Sequence, residues 1–72
     1  MDRKPIKSSN IRSVGWKENV LEVEFTNGTI YQYDGVTENL YNYMMESESV
    51  GKFFAARIKG GGYTSTKVDQ KS

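Results

Sequence analysis

Residues 20–33 constrain the fold more than any other part of this sequence, because they read as two strands joined by a tight turn. In Val20–Phe25, apolar residues alternate with acidic ones, which is the period of a strand with one buried face. Asn27 and Gly28 follow, and both residue types tolerate the positive φ angles of hairpin turns. The sequence therefore predicts an antiparallel hairpin as the centre of the fold.

The length of the hairpin loop decides which face of the sheet carries Tyr31 and Tyr33. A two-residue loop would place both tyrosines beside the acidic residues of the first strand. A three-residue loop, with Gly28 in a bulge, would place them beside its aliphatic residues. We favour the three-residue loop because it gathers the aromatic and aliphatic side chains onto one face. It also predicts a more exposed Ile30.

The rest of the chain adds short elements to this hairpin. The pattern predicts a strand at Ile11–Trp16 with a bulge near Ser13 or Gly15, a turn at Lys17–Asn19, a helix capped by Thr37 that ends near Glu46, a helix capped by Ser49 that ends at Gly60–Gly62, and a last strand at Tyr63–Val68. Leu40, Tyr43 and Met44 are expected on the apolar face of the first helix. The predicted fold class is α+β: a small antiparallel β-meander of three to four strands with two short helices packed on one face.

The length of 72 residues is enough for one domain. Residues 1–8 are polar and basic, so we expect a mobile arm there; residues 9–68 form the domain, and 69–72 form a tail. The chain has no cysteine, which removes disulfides and thiolate metal sites. No apolar run approaches the roughly 20 residues of a membrane span, so a cytoplasmic location without membrane contact is expected.

Charge is strongly sorted along the chain although the formal net charge is only +1. Seven acidic residues and no basic one lie between Glu18 and Glu48, and nine of the ten Lys and Arg residues lie in 1–17 and 50–67. Such sorting creates a basic surface on a nearly neutral protein. The residues predicted to contact a polyanion are Lys52, Arg57, Lys59 and Lys67, joined by Arg3, Lys4 and Lys7 if the arm folds over the same side. The alternative is that this cluster is an ordinary solvated helix face.

Several short motifs occur in an order that resembles a known family. They are Ser8-Ser9-Asn10-Ile11, Val14-Gly15-Trp16, Leu21-Glu22-Val23-Glu24-Phe25, Tyr31-Gln32-Tyr33, Gly35-Val36, Ser49-Val50-Gly51-Lys52-Phe53-Phe54 and Arg57-Ile58. The chain resembles the KTSC family over roughly residues 8–64, so the domain at 9–68 is expected to be KTSC-like. The family comprises small bacterial and phage domains, found alone or at the C-terminus of some lysyl-tRNA synthetases. The resemblance suggests RNA, including tRNA, as a partner.

The aromatic residues allow two interpretations. Tyr31 and Tyr33 are two residues apart in a strand, so their rings share a face and could stack successive bases. The alternative, which we favour, is that they pack under the helices as part of the core. Trp16 and Tyr63 are further candidates for exposed rings that assist RNA binding.

Catalysis finds little support in the sequence. Histidine and cysteine are absent, which removes the commonest general base and most transition-metal ligand sets. Glu22 and Glu24 are expected on the exposed side of a strand, where no environment tunes them for acid–base work. We therefore predict a non-catalytic domain without metal or cofactor that binds RNA through its basic second helix, as a monomer or weak dimer. The alternative is a protein-interaction or structural module that uses an open sheet edge or the acidic segment.

Overall fold

The computed structural model describes residues 2–68 and shows an antiparallel sheet with two helices on one face. The strands follow the chain order across the sheet: β1 (Lys4–Pro5), β2 (Ile11–Lys17), β3 (Val20–Phe25), β4 (Ile30–Asp34) and β5 (Thr64–Lys67). The helices are α1 (Glu38–Glu46) and α2 (Val50–Phe53), and α2 continues directly into a π-helical segment, Phe54–Lys59. We call residues 50–59 the second helix. The predicted α+β class is confirmed, with five strands where three to four were expected.

The additional strand is β1, in the segment where a mobile arm was expected. Lys4 pairs with Val14, and Pro5 pairs with Ser13. Proline fits here because β1 is an edge strand and needs no further ladder donor at that position. Residues 2–5 are thus placed against the sheet, in contrast to the expected mobile arm, because side-chain contacts described below hold them there. The expected tail at 69–72 lies outside the described residues.

The central hairpin has the three-residue loop that the apolar pattern favours. Leu21 lies opposite Tyr33 and Val23 opposite Tyr31, and Gly28 has a φ of 90°. The prediction for Ile30 is wrong, since this side chain is only 7% exposed. Ile30 belongs to β4, which has a neighbouring strand on each side, and its carbonyl oxygen accepts a hydrogen bond of 2.8 Å from the N–H of residue 68.

The turn between β2 and β3 consists of Glu18 and Asn19, both in the left-handed region with φ of 52° and 65°. This is the backbone of a two-residue type I′ turn, which matches the twist of the flanking strands. The Asn19 carbonyl oxygen also accepts hydrogen bonds from the N–H groups of Gly35 (2.9 Å) and Val36 (3.0 Å). The turn therefore anchors the segment that leads into α1.

Replacing Glu18 with asparagine is expected to stabilise the protein. Glutamate in the left-handed region costs about 1 kcal/mol, whereas asparagine tolerates that conformation. We expect Glu18→Asn to raise the free energy of unfolding by about 0.5 kcal/mol and Tm by about 3 °C. Thermal unfolding measures this, with Glu48→Asn as the control, since it removes the same charge at a residue with negative φ. Equal stabilisation by both variants would attribute the gain to charge.

The core lies between the sheet and the helices. Its buried members are Ile11, Val14, Leu21, Val23, Tyr33, Val36, Met44, Phe54 and Ile58. The predicted bulge in β2 is confirmed, since the register shifts between Ile11 and Ser13. It keeps Ile11 and Val14 on the same buried face although they are three residues apart.

Helix α1 begins at the predicted cap, because the Thr37 hydroxyl accepts a hydrogen bond from the Leu40 N–H at 3.2 Å. The expected place of Tyr43 is wrong: this side chain is 66% exposed. Tyr41 packs against the core instead. Its ring stacks on the Trp16 ring, with centroids 6.3 Å apart and planes at 23°. The apolar face of α1 consists of Leu40, Tyr41, Met44 and Met45, and the helical periodicity places Tyr43 outside this face.

The outer face of the sheet, away from the helices, carries a network of polar side chains around Arg3. The Arg3 guanidinium lies 2.6 Å from a Glu22 carboxylate oxygen and donates to the Ser13 hydroxyl at 3.1 Å. Ser13 donates to Glu24 at 2.9 Å, and Gln32 donates to the second Glu22 oxygen at 2.8 Å. These contacts join three strands and the segment that precedes β1.

The expectation that Glu22 lies on an exposed surface is therefore wrong, since Glu22 is 7% exposed. Alternation along β3 correctly places it on the outer face, but the N-terminal segment covers that face. Gly15 permits this covering, because a Cβ atom there would collide with the Asp2 carbonyl oxygen. Arg3 thereby belongs to the outer face and is not available to the basic side of the second helix.

Candidate nucleic-acid interface

Five of the eight residues predicted to bind nucleic acid line one cavity between the sheet and the end of the second helix. We call it the tyrosine cavity; its volume is about 470 Å³. It is lined by Phe25, Asn27, Thr29, Tyr31, Tyr33, Lys59, Tyr63, Ser65 and Lys67. The predicted residues that it brings together are Tyr31, Tyr33, Tyr63, Lys59 and Lys67.

The floor of the cavity is aromatic and is continuous with the core. Tyr33 is 6% exposed and meets Phe54 edge to face, with centroids 5.2 Å apart and planes at 79°. Tyr31 is half-buried, and its ring centroid lies 6.4 Å from that of Tyr33. The interpretation of the tyrosines as core residues is confirmed for Tyr33, whereas Tyr31 keeps part of its ring open to the cavity.

Burial, and to a smaller degree the neighbouring Tyr31, raises the pKa of Tyr33 above its usual value. A tyrosine hydroxyl is already protonated and uncharged at neutral pH, and the raised pKa of Tyr33 acts in the same direction. A neutral phenol at the floor adds a hydrogen-bond donor without adding a negative charge that would repel a phosphate.

Tyr63 forms a side wall and depends on the glycine run that ends the second helix. A Cβ atom at Gly61 would collide with the Arg57 carbonyl oxygen and lie 2.9 Å from the Tyr63 ring. The half-buried Tyr63 ring also passes close to Gly35, 3.7 Å from where a Cβ would be. The absence of a side chain at Gly61 therefore allows the Tyr63 ring to lie close to the backbone, whereas Gly35 is within ordinary contact distance of the ring.

Two lysines supply the charge of the tyrosine cavity. Lys59 ends the π-helical segment, and Lys67 lies opposite Tyr31 in the pairing of β4 with β5. Both side chains are exposed. The lining contains no aspartate or glutamate among the residues that the structure describes. The cavity thus combines aromatic surface with positive charge that no neighbouring lining carboxylate neutralises.

The π-helical segment explains how the second helix ends here. The Gly60 N–H donates to the Ala55 carbonyl oxygen at 3.2 Å, which is the i to i+5 hydrogen bond of a π-helix. Phe54 and Ile58 are buried on its inner side, while Arg57 and Lys59 are exposed. Segments of π-helix are rare and occur frequently at functional sites.

The other three predicted residues lie outside the tyrosine cavity. Trp16 stacks on Tyr41, and its ring N–H donates to the Val36 carbonyl oxygen at 2.7 Å. The Arg57 guanidinium lies over the Phe53 ring, 5.7 Å from its centroid. Lys52 lines a separate cavity near the start of the second helix. The eight predicted residues therefore do not all line one cavity.

The cavity around Lys52 has a volume of about 460 Å³, and we call it the lysine cavity. It is lined by Lys7, Ser8, Ser9, Asn10, Ser49, Gly51, Lys52 and Ala55. Ser8 has a structural role, since its hydroxyl accepts hydrogen bonds from the N–H groups of Asn10 (3.3 Å) and Ile11 (3.4 Å). Ser49 is the predicted helix cap and accepts from the Lys52 N–H at 3.3 Å.

Sequence reasoning missed Asn27 as a site residue. The Asn27 side-chain oxygen accepts from the Thr29 N–H at 2.9 Å, so its amide group retains two N–H donors beside the tyrosine cavity. In the sequence, the Asn27-Gly28 pair predicts only a hairpin turn. Its place beside the cavity follows from the packing of the hairpin loop against the second helix, for which the sequence contains no separate signal.

Residues 2–68 lack two further classes of site. Within this range the structure contains no group of three or more acidic side chains placed to hold a metal ion. None of its helices has both the length and the apolar character needed to cross a bilayer.

Fold and site together define a small α+β domain with a five-stranded antiparallel sheet, two helices on one face, and a basic, aromatic groove beside the second helix. Residues 7–63 match the model of the KTSC domain family. The chain belongs to the KTSC family.

Two relatives show how far this likeness extends. The crystal structure of a KTSC domain protein from Yersinia pestis superposes with a TM-score of 0.87 at 37% sequence identity, covering 94% of this chain and 97% of that one. An uncharacterized protein of Stutzerimonas stutzeri (strain A1501) is 32% identical in an alignment of 71 residues that covers 96% of this chain and 100% of that protein. The likeness therefore spans nearly the whole chain.

Proposed function

We propose that this domain is a non-catalytic RNA-binding module that holds single-stranded RNA in the tyrosine cavity. The observation that carries the proposal is the composition of this cavity: Lys59 and Lys67 stand beside three tyrosines, and no carboxylate is present in the described lining. Sites for single strands combine positive charge for the phosphates with aromatic rings for the bases.

Each group has a separate role in this proposal. Tyr31 and Tyr63 are half-buried, so each is fixed by packing and still presents ring surface on which a base can stack. Stacking of one base on an aromatic side chain contributes about 1–3 kcal/mol. Lys59 and Lys67 contact phosphates, which supplies affinity without sequence preference and makes binding sensitive to salt.

We expect the double variant Lys59→Glu/Lys67→Glu to weaken binding of a single-stranded oligouridine at least tenfold, because two phosphate contacts become repulsions. Fluorescence anisotropy measures the affinity, and amide NMR shifts map the contacts. Lys4→Glu/Lys17→Glu is the matched control with the same change in net charge: both lysines are exposed and line neither cavity, so their reversal should change affinity less than about twofold. Equal losses in both variants, or no RNA-induced shifts around Tyr31 and Tyr63, would contradict the proposal.

A second candidate function rests on a different observation, the open edge of β5. All four residues of this strand are exposed, and within the described part of the chain β5 pairs only with β4. Such an edge accepts an extended segment of a protein partner through main-chain hydrogen bonds. This binding would depend little on salt and would leave the amides near Lys59 unshifted, so the same NMR titrations distinguish the two functions.

A further inference from the structure

We infer that the bound RNA does not end at the tyrosine cavity but continues along the second helix to the lysine cavity, so that the domain holds a strand of several nucleotides. This inference rests on the proposed function and extends it. It assigns Lys7 and Lys52 to contacts with phosphates further along the same strand.

The first support is continuity of the surface. A third cavity, of about 310 Å³, lies between the two already described. It shares Phe25, Asn27 and Lys59 with the tyrosine cavity. It shares Asn10, Gly51 and Ala55 with the lysine cavity. We call the three together the helix groove; it runs from Lys67, past Lys59, to Lys52 and Lys7.

The second support is the distribution of charge. Lys59 lines both the tyrosine cavity and the middle cavity, and Lys7 and Lys52 line the far end. Among the described residues, no aspartate or glutamate lines any of the three cavities. The exposed Glu48 precedes the helix cap but does not contribute to the lining. A polyanion is therefore the ligand whose charge fits the whole length of the groove.

The third support is the size of the side chains in the middle of the groove. Ala55 lies where the middle cavity meets the lysine cavity, and its single methyl group lets an extended backbone approach the helix closely there. Gly51 is also close to Ser8: a Cβ at this position would lie 2.7 Å from the Ser8 hydroxyl oxygen. This close approach, which only glycine allows at position 51, places the segment that carries Lys7 beside the second helix as the second wall of the groove.

A continuous strand has a measurable consequence that two separate small sites lack. Once one nucleotide occupies the tyrosine cavity, the next phosphates are held close to Lys52 and Lys7 at a high effective concentration. Affinity should therefore rise steeply with RNA length. For single strands, the logarithm of the affinity falls with that of salt concentration by about 0.7 for each phosphate contact. Four lysines predict a loss of about 50-fold between about 50 and 200 mM salt, and two predict about 7-fold.

The test compares a uridine dinucleotide with an oligouridine of about eight nucleotides, on the wild-type chain and on Lys7→Glu/Lys52→Glu. We expect the double variant to weaken octamer binding at least tenfold, to lower its salt dependence, and to leave dinucleotide binding within about twofold. Unchanged dinucleotide binding also shows that the variant is folded. Lys4→Glu/Lys17→Glu is the control with the same change in net charge, since neither lysine lines the groove. Amide shifts at residues 7–10 and 49–52 should appear with the octamer alone.

The outcomes separate this inference from the proposed function. If neither RNA binds the wild-type chain, the proposed function itself fails. If both bind the tyrosine cavity but the octamer gains no affinity, or if the double variant leaves octamer binding unchanged, the inference fails while the proposed function stands. An equal loss of affinity for the dinucleotide and the octamer would likewise overturn the inference. The two lysines would then act through the overall electrostatic potential and not through contacts with the longer strand.

Discussion

Phe54→Ala is expected to lower the free energy of unfolding by about 3–5 kcal/mol, which is a large part of the total for a chain of this length. Phe54 is 3% exposed and touches two other rings edge to face, Tyr33 at 5.2 Å and Phe25 at 5.7 Å between centroids. Truncation removes the apolar surface and leaves a void that these rings cannot fill without losing their own contacts. Urea-induced unfolding, followed by tryptophan fluorescence, measures the change.

The adjacent Phe53 provides a control of the same residue type. Phe53 is half-buried, and its ring lies under the Arg57 guanidinium instead of in the enclosed core. We expect Phe53→Ala to cost about 1–2 kcal/mol, since less apolar surface returns to water. Similar costs for both variants would contradict the assignment of Phe54 to the centre of the core.

Arg3→Ala is expected to lower the free energy of unfolding by about 2 kcal/mol, although Arg3 lies in a segment that the sequence predicted to be mobile. The substitution leaves the Glu22 carboxylate, with a side chain only 10% exposed, without its cation at 2.6 Å. Removing one partner of a largely buried pair costs more than the net value of the pair, because the remaining charge stays desolvated. Urea-induced unfolding again measures the loss.

Two variants test whether the loss comes from this pair. Arg12→Ala removes an arginine that is 59% exposed and 3.8 Å from Glu24, so we expect a cost of about 0.5 kcal/mol or less. Adding Glu22→Gln to Arg3→Ala removes the unpaired charge and should restore part of the stability. A loss in Arg12→Ala as large as that in Arg3→Ala would show that general charge effects dominate.

Local sequence patterns correctly predicted those strands, caps and turns that depend only on neighbouring residues. Alternation in β3, the caps Thr37 and Ser49, and the three-residue hairpin loop follow from neighbouring residues, and the structure confirms each. The errors have a common cause. Residues 2–5 owe their place on the sheet, and Glu22 and Ile30 owe their burial, to contacts between parts of the chain that are distant in sequence. Periodicity does not carry that information.

The candidate site was predictable in residue type and only partly in position. Sorting of charge identified Lys52, Lys59 and Lys67, which lie along the helix groove. It could not separate them from Arg57, because two residues of register on a helix decide whether a side chain faces the groove or Phe53. Asn27 was missed because its role depends on packing between the hairpin loop and the second helix.

The path of the N-terminal segment has a practical consequence for anyone who attaches this domain to a surface or to a second protein. Arg3 and its carboxylate partners lie on the sheet face opposite the helices, whereas the helix groove opens beside the second helix. A tether joined ahead of residue 2 would thus leave from the back of the molecule. An immobilised or fused copy should keep its groove turned toward solvent, provided that Arg3 and Gly15 are left intact to hold the anchor point.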